Sequence, residues 1–301
     1  MFTFTLTFMR YDTPILFLIF NRPDVTFKVF ERIREQQPEN LFIAADGARN
    51  NRPGELELCL ETRSIIQKID WQCNVRILFR DENLGCSKGV SGAISWFFSQ
   101  VEYGIILEDD CLPDLSFFSF CKELLLKYNT EQRIGAICGF NSQLGISRTN
   151  KSYYFARLHS SWGWATWADR WCKYNENDFP EEKVLNDAAI KGWKEEISDT
   201  FLGKIDSWAY RWQYVFRKND FICIYPNVSL IRNIGFSENA SNTTGIRWWY
   251  KHIKYGAVPI IHHPNSVNIS EDADRLTMQL NKALPLSWKN RIKRKLIKFI
   301  K

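Results

Sequence analysis

The chain has no apolar run approaching the roughly 20 residues that a bilayer-spanning helix needs. It has no internal repeat and no linker rich in Gly or Ser. Its eight cysteines, Cys59, Cys73, Cys86, Cys111, Cys121, Cys138, Cys172 and Cys223, include no C-x-x-C pair. Zinc-ligand spacing is therefore missing, and a chain of 301 residues needs no disulfide scaffold. Several of these cysteines sit in apolar runs, as in Ile137-Cys138-Gly139 and Ile222-Cys223-Ile224, and read as reduced, buried thiols. The start of the chain is apolar but broken by Arg10, Asp12 and Pro14. It lacks the basic start, clean apolar core and small-residue cleavage site of a secretory signal. These absences predict a cytoplasmic protein, neither secreted nor membrane-spanning.

Positive charge is scarce over most of the chain. The net charge is +6, but Lys289 to Lys301 hold seven Lys or Arg and no acid, so the remainder stands near neutral, at −1. A nucleic-acid protein would spread its positive charge over a folded face, so none is expected as partner. What is abundant is aromatic surface: 15% of residues, with 12 Trp, inside a hydrophobic content of 45%. That content supplies one large core. Trp and Tyr build cores, and their flat faces also stack on sugar rings.

Pro14 to Phe20 is a short apolar run suited to a strand buried on both faces. Val25 to Glu35 reads as a helix, with Val25, Val29 and Ile33 four apart and Pro23 near its start. Strands at 41–45, 75–79 and 104–107 alternate with helices at 62–69 and 87–100. That alternation predicts a mostly parallel sheet flanked by helices, a Rossmann-like nucleotide half over 12–140. A helix at 115–128 and a strand at 134–138 follow. Residues 141–283 read as an acceptor half of the same domain, with an irregular stretch at 141–157, helices at 181–196 and 205–218 and a strand at 222–225.

The chemistry concentrates in Ile105-Ile106-Leu107-Glu108-Asp109-Asp110, an apolar strand running into three acids. In open parallel sheets ligands bind beyond the carboxyl ends of the strands. Three carboxylates there repel one another and lose hydration, so they need a cation. A hard cation such as Mn²⁺ or Mg²⁺ takes oxygens from carboxylates and phosphates together, which suggests a metal bridging protein to a diphosphate. Asp46 closes the second strand on the same edge, where an acid accepts from a nucleobase imide or a ribose hydroxyl. Arg22 follows the first strand, and a guanidinium suits phosphate. In Trp162-Gly163-Trp164-Ala165-Thr166-Trp167, glycine lets backbone approach a ligand closely and the Trp faces can floor a sugar site. Trp164, Trp167 and Trp171, spaced three and four apart, also fit a buried helical stripe. His159 precedes this block.

Phe20-Asn-Arg-Pro-Asp, Ala45-Asp-Gly, Asn83-Leu-Gly, Leu107-Glu-Asp-Asp with Pro113-Asp-Leu-Ser-Phe-Phe, and Trp162-Gly-Trp resemble the A-type glycosyltransferases, N-acetylglucosaminyltransferase I and its bacterial homologues among them. The resemblance runs over residues 12 to 245 and is most specific at the Glu-Asp-Asp block. It implies a glycosyltransferase of that fold, acting on a nucleotide-sugar donor, a UDP-sugar, and a saccharide acceptor. It implies Asp110 as the acid on Mn²⁺ or Mg²⁺, Glu108 and Asp109 on ribose and donor sugar, Asp46 on the uracil imide and Arg22 near the phosphates. Asp206, in Ile205-Asp-Ser-Trp, matches the general base of an inverting transfer, with Asp169 and Asp178 as competitors. Trp162, Trp164 and His159 are expected at the acceptor. A sugar-nucleotide nucleotidyltransferase would carry a glycine-rich loop after its first strand, and Phe20-Asn-Arg-Pro-Asp has no glycine. A non-catalytic sugar-binding protein would not need the three acids.

Residues 284–301 form a basic tail. On a helix, Trp288, Ile292, Leu296 and Phe299 share one face and Lys or Arg fill much of the rest. Such a helix lies in the headgroup region of an anionic bilayer, each basic residue adding up to about 1 kcal/mol. The tail predicts an enzyme peripheral at a membrane surface, and the resemblance implies that it acts at the inner face on a lipid-linked acceptor in bacterial surface polysaccharide synthesis. Co-sedimentation with anionic vesicles should retain the full chain and lose a chain ended at Pro285. Equal binding by the two would remove the tail as an anchor.

Overall fold

A computed structural model describes residues 11–175, 178–236 and 248–282. The tail at 284–301 lies outside the described residues. The nucleotide half begins as a regular alternation: β1 (Ile15–Ile19), α1 (Pro23–Gln36), β2 (Asn40–Ala45), α2 (Glu55–Arg63), β3 (Asn74–Phe79), α3 (Gly85–Phe98) and β4 (Tyr103–Glu108). A short β5 (Cys111–Pro113), α4 (Ser116–Lys127) and β6 (Ile134–Cys138) complete it. The remainder carries β7 (Tyr153–Ala156), β8 (Trp164–Trp167), α5 (Ala168–Trp171), α6 (Glu182–Leu185), α7 (Lys194–Phe201) and α8 (Trp208–Lys218). β9 (Ile222–Pro226), β10 (Ile231–Asn233) and α9 (Glu271–Lys282) follow. No described helix is long and apolar enough to cross a membrane.

Eight strands form one sheet in the order β3-β2-β1-β4-β8-β6-β9-β7. β3, β2, β1 and β4 run parallel, and β9 runs parallel to β6, while β8 and β7 oppose their neighbours. β1 shows why the sheet is central. All five of its residues are buried. Ile15, Phe17 and Ile19 join one core with Val29, Phe30 and Ile33 of α1 and the phenylalanines of α4. Leu16 and Leu18 join the opposite core with α3 and α8. A strand alternates its side chains between faces, so a continuous apolar run is what a doubly covered sheet demands.

The C-terminal half departs from the expected pattern. The Trp block is a strand with one helical turn after it, where the spacing had suggested a helical stripe. Residues three apart lie on opposite faces of a strand. Accordingly Trp167 enters the α1/α4 core and Trp164 the α3/α8 core. The stretch at 141–157, read as irregular, contains β7. The helix expected at 181–196 is broken into α6, a 3-10 turn at Lys191–Trp193 and α7. β5 pairs antiparallel with β10, Asn233 opposite Cys111, in a separate two-stranded ribbon.

Gly104 of β4 tests the fit of α3 on the sheet. A Cβ there would sit 2.7 Å from Phe97 Cε1 and 2.8 Å from the Pro14 carbonyl oxygen. Gly104→Ala should cost about 1–3 kcal/mol by overpacking, read as a Tm lowered by several degrees. An unchanged Tm would show that this contact is loose.

Candidate active site

The strand register assembles the site. Ile19 of β1 pairs with Ala45 of β2, Leu18 pairs with Glu108 of β4, and Ala45 pairs with Phe79 of β3. The residues that follow these strand ends, Arg22, Asp46, Asp109 and Arg80, therefore reach one rim. The chain steps outward from β1 through β2 to β3 and then returns to the other side of β1, so β1 and β4 flank the point where strand order reverses. Ligands of open α/β sheets bind in that crevice. A cavity of about 600 Å³ opens there.

Arg22 stands just before α1, with Pro23 at the first helical position. Its guanidinium grips Asp109 through Nε (3.2 Å) and Nη2, and Nη2 also donates to Asp110 Oδ2 at 3.1 Å. Asp109 is only 4% exposed. Burial pushes its pKa up to about 6, with Arg22 opposing the rise. Burial, reinforced by Asp110 and Asp109, pushes Glu108 up to about 8. Among the described residues, Asp110 Oδ1 accepts only from the Cys111 thiol, at 3.5 Å. The backbone of Gly235 lies against this pair: a Cβ there would collide with Asp110 Oδ2 and sit 2.6 Å from Arg22 Nη1. β10 brings Gly235 in, and the Ile234 amide donates to the Asp110 carbonyl at 2.8 Å.

Asp46 lines the same cavity. Its Oδ2 accepts from the Leu84 amide (2.9 Å) and the Gly85 amide (3.0 Å). Its Oδ1 is buried and has no hydrogen-bond partner among the described residues. Arg80 stands beside it and donates to the Gly89 carbonyl at 3.0 Å. Arg49 is already committed to the buried Glu55. The cavity thus presents five carboxylates, Asp46, Glu108, Asp109, Asp110 and Asp206, to the guanidiniums of Arg22, Arg49 and Arg80. That excess of acid over available base favours a bound cation. Among the described residues no three His, Cys, Asp or Glu form a complete metal cage. Mg²⁺-like ions are commonly held by one or two carboxylates with substrate phosphates supplying the rest, so the donor set fits.

Of the three acids considered as base, only Asp206 reaches the cavity. Asp169 follows β8, which starts at the site edge, where Trp164 pairs with Ile106, and ends at the far edge, where Trp167 pairs with Tyr103. There Asp169 pairs with Arg170. Asp178 is held by Lys218 at 2.8 Å. The aromatic residues divide similarly. Trp162 lines the cavity, edge-on to Phe140 at 4.6 Å. Trp164 does not: it is fully buried and stacks on Trp208 at 5.7 Å. His159 does not line the cavity either; its ring packs on Trp164 and Phe216. Both were expected at the acceptor; Trp164 is a core residue, and His159 is a half-buried one packed against it. Trp208 and Tyr210 line the cavity in their place. Arg80 could have been found by the strand-end logic that selects Arg22 and Asp46. Trp208, Tyr210 and Gly235 arrive through tertiary packing alone.

No protein-family model matches the chain, and no curated protein matches it. Among solved structures, HddC from Yersinia pseudotuberculosis aligns over 52% of this chain and 77% of its own, at 9% identity and a TM-score of 0.33. S. aureus TarS 1–349 aligns over 62% of this chain and 56% of its own, at 11% identity and a TM-score of 0.36. A UDP-glucose pyrophosphorylase complexed with UDP-glucose aligns over 71% and 90%, at 10% identity and a TM-score of 0.36. Likeness at this level says nothing about what this chain binds.

Burial holds the His159 pKa down to about 3, so the ring is neutral in the fold. The unfolded chain binds its proton near pH 6.5. Stability from this group is therefore present above pH 6.5 and lost as the pH falls, at about 1.4 kcal/mol per unit. His159→Phe should flatten the stability profile between pH 6.5 and 5, measured by urea unfolding. Parallel profiles for the two proteins would show that the ring is not enclosed.

Proposed function

We propose that the chain is a glycosyltransferase that moves a sugar from a nucleoside diphosphate, a UDP-sugar, onto a saccharide hydroxyl, with Mn²⁺ or Mg²⁺ as cofactor and inversion at the anomeric carbon. One observation carries this reading. A single cavity at the reversal point of the sheet joins the acid cluster and Asp46 on one side to Trp162, Trp208 and Tyr210 on the other. One wall suits a charged nucleotide and the other a sugar ring.

Asp46 Oδ1, buried and unpartnered, suits the imide N–H of a uracil. Asp110 would hold the cation, with Glu108 and Asp109 toward the ribose and donor sugar. When bound, the cation would neutralise charge on the leaving diphosphate. Arg22 orients Asp109 and Asp110 and would offer positive charge to the diphosphate. Asp206 stands on the acceptor side with each carboxylate oxygen accepting one amide of α3. Phe20-Asn21-Arg22 passes directly into α1 without a glycine-rich loop, which weighs against nucleotidyl transfer. The acceptor in this reading is a saccharide carried on lipid at the inner membrane face, where the basic tail would hold the enzyme.

A panel of sugar nucleotides with Mn²⁺ should release nucleoside diphosphate from one donor. EDTA should abolish that release and Mn²⁺ restore it. Asp110→Asn should lower it on the order of a hundredfold or more with the Tm preserved, because an amide is a poor partner for a divalent cation. Full activity in EDTA would remove the metal, and pyrophosphate release from a nucleoside triphosphate would mark nucleotidyl transfer instead.

A further inference from the structure

Helix α3 begins without a cap of its own. Leu84 occupies the N-cap position, offers no side-chain oxygen, and no acid lies in the first turn. The leading amides of a helix have no partner within it. Here four in succession are satisfied by two carboxylates remote in sequence. Asp46 Oδ2 takes the amides of Leu84 and Gly85. Asp206 Oδ2 takes Cys86 N and Asp206 Oδ1 takes Ser87 N, each at 2.7 Å. An N-cap side chain ordinarily serves the second or third residue of its helix, which here are Cys86 and Ser87. Asp206 serves both, from 120 and 119 residues away.

The helix is shaped to receive both acids. Gly85 has φ +79°, and a Cβ on it would sit 2.6 Å from Asp206 Oδ2. Gly89, one turn on, would place a Cβ 3.0 Å from Asp46 Oδ2. Asp206 itself is carried on a firm base. Two residues later Trp208 is 3% exposed and stacks on the buried Trp164. Asp46 and Asp206 thus hold one turn of backbone between the two walls of the cavity.

We infer that Asp206 is a positioning residue for nucleotide binding: by capping α3 from the acceptor side it fixes the Leu84–Ser87 turn against which Asp46 is set. This rests on the donor reading of the cavity. Each oxygen accepts one backbone amide and the residue also lines the cavity, so binding and turnover are read separately.

The test uses the full chain and UDP with Mn²⁺ as probe. Asp206→Ala should weaken UDP binding about tenfold or more by calorimetry. Asp206→Asn should fall between Asp206→Ala and the parent, because its amide oxygen still accepts from one of the two α3 amides while Nδ2, a donor, cannot accept from the other. Donor turnover by Asp206→Asn should stay within about tenfold. A base role predicts the reverse, with UDP binding unchanged in both variants and turnover down a hundredfold or more in both; that pattern would overturn the inference. Hydrogen exchange over residues 84–90 supplies a readout free of ligand. It should speed up most in Asp206→Ala and less in Asp206→Asn, with the rest of the chain unchanged; exchange unaltered in Asp206→Ala would also overturn it. If the unmutated chain fails to bind UDP, the donor reading falls, and the exchange measurement still decides the role of Asp206.

Discussion

Glu108, Asp109 and Asp110 end a buried strand beside one guanidinium, and much of the surrounding structure answers the charge problem this creates. Buried carboxylates are costly unless paired. Arg22 forks onto Asp109 and touches Asp110, which leaves Glu108 with no hydrogen-bond donor among the described residues and a raised pKa. The pairing requires β1 and β4 to be neighbours in the sheet, since Arg22 follows one and the acids follow the other. It also requires backbone with no side chain overhead, which Gly235 supplies. The site is therefore pre-formed in shape while its charge remains unbalanced.

The two walls of the cavity are made by different means. One wall is a set of strand ends, and its precision comes from hydrogen-bonded register in a parallel sheet. The other comes from β10 and the entry to α8, and its precision comes from aromatic packing. Trp164, Trp171, Trp208 and Trp212 form one contiguous cluster under that wall. Of these only Trp208 reaches the cavity. Among the described tryptophans, Trp162 and Trp208 line the cavity, while Trp164, Trp171 and Trp212 pack in the cluster that carries Trp208.

Much of the nucleotide half was legible in the sequence because its signals are local. A fully apolar five-residue strand, a proline at a helix start and a strand running into acids each depend on residues close in the chain. Parallel order then places Arg22, Asp46 and Glu108 on one rim without further information. β8 was not legible. Its tryptophans fit a helical spacing, and only their separation onto opposite faces of the sheet, Trp164 to one core and Trp167 to the other, identifies a strand. His159 and Trp164 read as surface candidates for the same reason, since nothing local distinguishes a Trp that floors a site from one that supports it.

The sequence by itself determined the alternation of strands and helices through β4, the acid cluster at the end of β4 and the candidates Arg22 and Asp46, because backbone periodicity and strand direction act over short range. The tertiary structure alone decided which acceptor-half residues meet them. Whether Asp169, Asp178 or Asp206 reached the cavity depended on the antiparallel insertion of β8 between β4 and β6, which carries Asp169 to the opposite edge. The role of Asp206 depended on Leu84, a residue that cannot cap its own helix, leaving two amides for a carboxylate from more than a hundred residues away. Hydrogen-bond demand of that kind is fixed by sequence, but which distant side chain meets it is settled only when the chain is folded.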